Sequence, residues 1–83
     1  MNYTFNDESP IFQQLAKALE DDIFLCTYKE GSAIPSTTEL SVALHINPAT
    51  VLKAMNLLLD EGLIEKKRGI GMFVKEGAVK KIK

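Results

Sequence analysis

Three groups of side chains in this chain have the types and spacing to hold a polyanion. Lys66, Lys67 and Arg68 are consecutive and run into Gly69-Ile70-Gly71. Ser36, Thr37 and Thr38 offer successive hydroxyls and are followed by Glu39. Asn47 and Pro48 precede Ala49 and Thr50, with Lys53 and Asn56 further along the same stretch. Bases neutralise phosphate charge, hydroxyls and amides donate to phosphate oxygens, and glycine lets a backbone come close. Catalysis finds no comparable set. There is no nucleophile–base pair, and a single histidine (His45) with a single cysteine (Cys26) builds neither a metal-ligand set nor a disulfide. Gly69-x-Gly71 lacks the strand-to-helix setting of a dinucleotide fingerprint. No enzyme, cofactor or metal is expected, and Cys26 reads as a small apolar core group.

The elements that position these groups are legible from caps and periodicity. In "SPIFQQLAKALEDDIFLC", Ser9 reads as a helix cap and Pro10 as the first helical residue. Phe12, Leu15, Ala16, Leu19, Ile23 and Cys26 recur at three- and four-residue steps, one amphipathic stripe. Ile11, Ala18 and Leu25 form a weaker line beside it, read as a wider core face or a contact with another chain. Gly31 and Pro35 break the helix, and Ala33-Ile34 has the character of a very short strand. "STTE" (36–39) is a capping box, opening a second helix buried through Leu40, Ala43 and Leu44. His45-Ile46 then makes a tight turn. Asn47 caps a third helix, and Pro48 suits its first position because its missing N–H is not needed there. This helix runs to about Glu61 and ends at Gly62. Val51, Ala54, Met55 and Leu58 point to one side; Ala49, Lys53, Asn56 and Asp60 point to the other. Residues 63–67 and 72–75 read as a hairpin closed by "RGIG" (68–71).

With 83 residues there is room for one small domain. No run of about 20 apolar residues exists, so no membrane span is expected, and no secretory signal is visible. A lone cysteine fits a reducing compartment, most simply the cytoplasm. The formal charge of −1 hides an uneven distribution. Residues 1–30 carry six acids against Lys17 and Lys29, whereas residues 60–83 carry seven bases against Asp60, Glu61, Glu65 and Glu76. A neutral total can therefore cover a basic surface.

The expected fold is mostly α with a small β-hairpin: a winged helix-turn-helix of three helices and a two-stranded wing. In such folds the second helix of the motif enters the major groove of double-stranded DNA with its N-terminal residues at the base edges. That assigns base or groove contact to Asn47, Pro48, Ala49, Thr50, Lys53 and Asn56. Lys66, Lys67, Arg68, Gly69, Ile70 and Gly71 would grip backbone or minor groove. Ser36, Thr37 and Thr38 would hold phosphate at the start of the second helix. The rival is a winged helix serving as a protein-interaction module. It should show exposed apolar groups on the wing with little basic clustering, and here Ile70 is flanked by bases.

"SPIFQQL", "G-x-x-IPSTTELSVAL" and "INPATVLKAMNLLLDEGLIEKKRGIGMFV" resemble the N-terminal winged-helix domain of the GntR family of bacterial transcription regulators. The Asn-Pro-x-Thr-Val-x-Lys-Ala run and the Arg-Gly-x-Gly-x-Phe-Val wing are most similar to its YtrA-like branch. The resemblance covers about residues 9–76. It implies a dimeric repressor on a palindromic operator, and a further C-terminal helical domain that dimerises. Residues 1–8 are then a flexible arm, 9–76 the DNA-binding domain, and 77–83 a basic linker toward that absent domain. Two positions depart from the family pattern. Thr38 and Leu52 stand where many members carry arginine, so base readout by those arginines does not carry over.

Overall fold

The computed structural model describes residues 3–82; Met1, Asn2 and Lys83, which fall in the expected arm and linker, lie outside the described residues. Helix α1 spans Ile11–Phe24, α2 Thr37–Leu44 and α3 Pro48–Asp60. Strands β1 (Ile64–Lys67) and β2 (Gly71–Val74) follow, and a short α4 (Ala78–Ile82) closes the chain. The architecture is the expected winged helix-turn-helix, with α4 as an addition.

Local chemistry accounts for α2 and α3. Ser36 Oγ accepts from Glu39 N at 3.1 Å while the Glu39 carboxylate accepts from Ser36 N at 3.2 Å, the reciprocal capping box. His45 closes α2 in the left-handed region at φ 54°. Ser41 Oγ donates to the Ile46 carbonyl at 2.6 Å and fixes the turn. Asn47 Oδ1 accepts from Ala49 N at 2.8 Å, and Pro48 opens α3. At the other end Gly62 (φ +74°) donates to Leu59 O and Leu63 N donates to Leu58 O, both at 3.0 Å. These paired bonds form a Schellman motif that satisfies the last carbonyls of α3.

The core is one apolar cluster. Leu15, Leu19 and Ile23 of α1 meet Leu40 of α2 and Val51, Ala54, Met55 and Leu58 of α3, and Ile64 and Val74 of the hairpin close it. The four α3 positions expected inside are all buried, and the four expected outside are all exposed. Among the described residues no polar or charged side chain is buried. The hairpin pairs antiparallel with Ile64 opposite Val74 and Lys67 opposite Gly71. Ala33 bridges Phe73, and Ile34 N donates to Met72 O at 2.9 Å, so the expected short strand is a single rung on the outer edge of β2.

Several expectations differ. Ser9 does not cap α1: Pro10 is the N-cap and has no side-chain bond. The Gln14 amide instead donates to Asn6 O (2.8 Å) and Ser9 O (2.7 Å) and accepts from Asn6 N (2.9 Å). The segment before α1 is thus tied down. Tyr3 and Phe5 pack against the core, and the Tyr3 hydroxyl donates to Asp22. Burial, then the Asp22 carboxylate, pushes the Tyr3 pKa up. Helix α1 ends at Phe24, well before Gly31, and Cys26 lies beyond it, exposed and at φ 62°. Thr27 and Tyr28 amides both donate to Asp22 O there, which turns the chain back so that Tyr28 reaches the core. Ala43 is exposed; α2 joins the core through Leu40 and the half-buried Leu44. Residues 78–82, within the expected linker, are helical, with Ala78 fully buried and α4 packed on α1.

Candidate nucleic-acid interface

The start of α2, the outward side of α3 and the wing converge on one groove. Ser36, Thr37 and Thr38 form one wall; Lys66, Lys67, Gly69, Ile70, Gly71 and Met72 form the other; Leu52 of α3 lies between them. The capping box leaves the Thr37 and Thr38 hydroxyls free of its bonds. The wing turn is tight: Ile70 N donates to Lys67 O at 2.9 Å with Gly69 at φ +77° in the third position. A left-handed third position defines a type II turn and favours glycine. Arg68 therefore stands at the tip, exposed and clear of the groove wall.

Strand alternation divides the basic run. Ile64 and Lys66 share one face of β1 and lie opposite Val74 and Met72, the core side. Lys66 thus extends from the core face over the groove. Lys67 belongs to the other face, with its ammonium 4.6 Å from the Phe73 ring centroid and 3.9 Å from Glu65. A cation over an aromatic face is held by the ring quadrupole.

Helix α3 presents Pro48, Ala49, Leu52, Lys53 and Asn56 outward, all exposed. Lys53 leans away from the wing, with its ammonium 5.3 Å from the Phe12 ring centroid on α1. Asn47 and the half-buried Thr50 line a separate hollow with Phe5, Ile11, Leu44 and His45. The structure therefore gathers Ser36–Thr38 with the wing, keeps Pro48, Ala49 and Asn56 on the open face of α3, and sets Asn47 and Thr50 toward α1.

The model of the family described as bacterial regulatory proteins, gntR family, matches residues 11–74, most of the chain. The chain belongs to the GntR family. The HTH-type transcriptional repressor YtrA of Bacillus subtilis is 36% identical over 70 residues, covering 84% of this chain and 54% of that protein. The chain thus spans about half the length of that relative. A GntR family transcriptional regulator from Listeria monocytogenes superposes with a TM-score of 0.89 at 29% identity, over 94% of this chain and 70% of that one. The AraR(DBD), solved in complex with operator ORX1, superposes with a TM-score of 0.81 over 89% of this chain and 95% of that one; at 23% identity the likeness is one of fold. The GntR family is one of regulators, not of enzymes.

Within this GntR domain, Leu52 and the half-buried Met72 are the groove residues that the site assignment from sequence left out; Leu52 is the one on α3. It is 49% exposed, on the outward row of α3 between Ala49 and Asn56. From sequence alone Leu52 is one more apolar residue of α3, and nothing local separates it from those that packing covers. Among the described residues no group of His, Cys, Asp and Glu could hold a metal, and no helix is long and apolar enough to cross a membrane.

Proposed function

We propose that this GntR domain binds double-stranded DNA in a sequence-specific manner, as the reading unit of a transcriptional repressor on a palindromic operator. The observation that carries the reading is the groove, where a capped helix start, the open face of α3 and a basic wing meet. Helix α3 enters the major groove with residues 47–56 at its front. Ser36, Thr37 and Thr38 hold phosphate beside the first amides of α2. Lys66, Lys67 and Arg68 follow the backbone, and the tip at Gly69-Ile70-Gly71 reaches toward the minor groove. The repressor name of the YtrA relative and the operator bound by the AraR domain support the mode of action. Two copies would occupy inverted half-sites about one helical turn apart, in the cytoplasm, with dimer contacts contributed by a C-terminal region beyond residue 83.

The apolar Ile70, 73% exposed at the wing, is a feature a protein-interaction module would share. Lys66, Lys67 and Arg68 precede it in the same wing, which favours DNA. Selection from a random duplex library at moderate salt, using the 83-residue chain, tests the reading. An enriched inverted repeat is the expected result. A single enriched half-site keeps DNA reading and moves dimerisation outside this chain. No enrichment by a folded protein overturns it.

A further inference from the structure

Leu52 is an apolar side chain left half open in a groove walled by the hydroxyls of Ser36–Thr38 on one side and by the lysines, glycines, Ile70 and Met72 of the wing on the other, and it is the one groove residue that α3 supplies. It does not stand alone on its helix. Pro48 and Ala49 precede it on the exposed side of α3, one turn and less toward the N-terminus. The leading face of α3 is thus apolar over its first turn and a half, with Lys53 at its edge and Asn56 behind it on the same face. Lys53 is drawn toward Phe12, and Asn56 sits a turn further back. Isolated exposed leucines are ordinary on protein surfaces. This one is distinguished by its place between the two walls that would clasp a duplex.

The edges of base pairs in the major groove carry donors, acceptors and a single apolar group, the C5-methyl of thymine. A leucine at the front of a reading helix can neither donate to guanine nor accept from cytosine. It leaves such groups desolvated and unpaired, which disfavours them. A thymine methyl is the complement that removes apolar surface from water on both sides. We propose that Leu52 is a specificity-determining residue that reads the C5-methyl of a thymine in the major groove, backed by the Ala49 methyl. The proposal rests on the DNA-binding reading above and adds which chemical group is read at this position and by which atoms.

The test is selection with two random duplex libraries, one made with thymine and one with uracil, which lacks only the methyl. The wild-type chain is expected to enrich a thymine at one position of each half-site, and that preference should vanish in the uracil library. Placing uracil at that position of the selected site should weaken binding about fourfold, the worth of one buried methyl. Leu52→Ala should bind thymine and uracil sites within a factor of two of each other, whereas Lys66→Ala should lose affinity and keep the discrimination. Because the thymine–uracil comparison changes only the DNA, it does not depend on how the variants fold. Equal binding of both sites by the wild-type chain overturns the role of Leu52 while leaving DNA reading intact. Discrimination that persists unchanged in Leu52→Ala does the same. Failure to enrich any sequence from either library overturns both.

Discussion

At the scale of single residues, the basic run of the wing does not act as one unit. Lys66 extends from the core face of β1 over the groove, Lys67 is held between Phe73 and Glu65, and Arg68 stands free at the tip. An exposed ion pair such as Lys67–Glu65 contributes little, but it competes for the same ammonium that a phosphate would use. Lys66→Ala and Arg68→Glu should therefore weaken binding to all duplexes. Each lost phosphate contact lowers the slope of log affinity against log salt by about one. Lys67→Ala should change that slope less than Lys66→Ala does. A salt titration of the three variants reads this directly, and equal slopes for all three would remove the distinction between the two faces. Asn47 shows a related division of labour. Its Oδ1 already accepts from the Ala49 amide, so what it has left for DNA is its amino group, a donor.

At the scale of elements, α2 and α3 begin and end on bonds their own sequence supplies, whereas α4 begins on a bond from far away. Glu30, in the loop after α1, accepts from Gly77 N at 3.0 Å and Val79 N at 3.1 Å. Those two amides, Gly77 first, hold its carboxyl below the usual glutamate range, with Lys80 nearby adding to the effect. A carboxylate whose folded pKa is lowered stabilises the folded arrangement above the unfolded pKa. That contribution is lost as pH falls through the lowered folded value. The Val79 amide resonance is thus expected to titrate in acid, below the ordinary glutamate range, together with faster exchange of that amide. Glu30→Ala should give the fast exchange at neutral pH while the amides of α3 stay protected. A Val79 amide that is insensitive to both changes would mean that burial of Ala78 alone holds α4.

At the scale of the whole molecule, the reading surface is held by one small core in which α3 is central. Its Val51, Ala54, Met55 and Leu58 face α1, α2 and β1 at once, so the surface on the other side of α3 is only as fixed as this cluster. Leu58→Ala deletes a fully buried side chain and should destabilise the domain by about 2–5 kcal/mol. Against the roughly 5–15 kcal/mol margin of native domains, that is a large share. Urea unfolding is expected to show the midpoint falling with the slope unchanged. A loss below about 1 kcal/mol would mean that the site collapses around the deletion and that the core is not rigid.

Read alone, the sequence determined what depends on neighbours along the chain. The Ser36–Glu39 box, the Asn47-Pro48 start, the Gly62 stop and the two sides of α3 are all set by side chains within one or two turns of the backbone they satisfy. The winged helix-turn-helix follows from that order of elements, and membership of the GntR family agrees with it. Tertiary structure decided what depends on partners distant in sequence. Helix α1 stops at Phe24, despite the apolar Leu25 and Cys26, because Tyr28 must return to the core and residues 31–34 must reach β2. Residues 78–82 are helical because Glu30 and α1 receive them. Lys66 and Lys67 part company because pairing with β2 gives each face of β1 a different neighbour. Leu52 joins the candidate site only when the wing folds back beside α2, since no local pattern tells an exposed leucine on a bare surface from one at the floor of a groove.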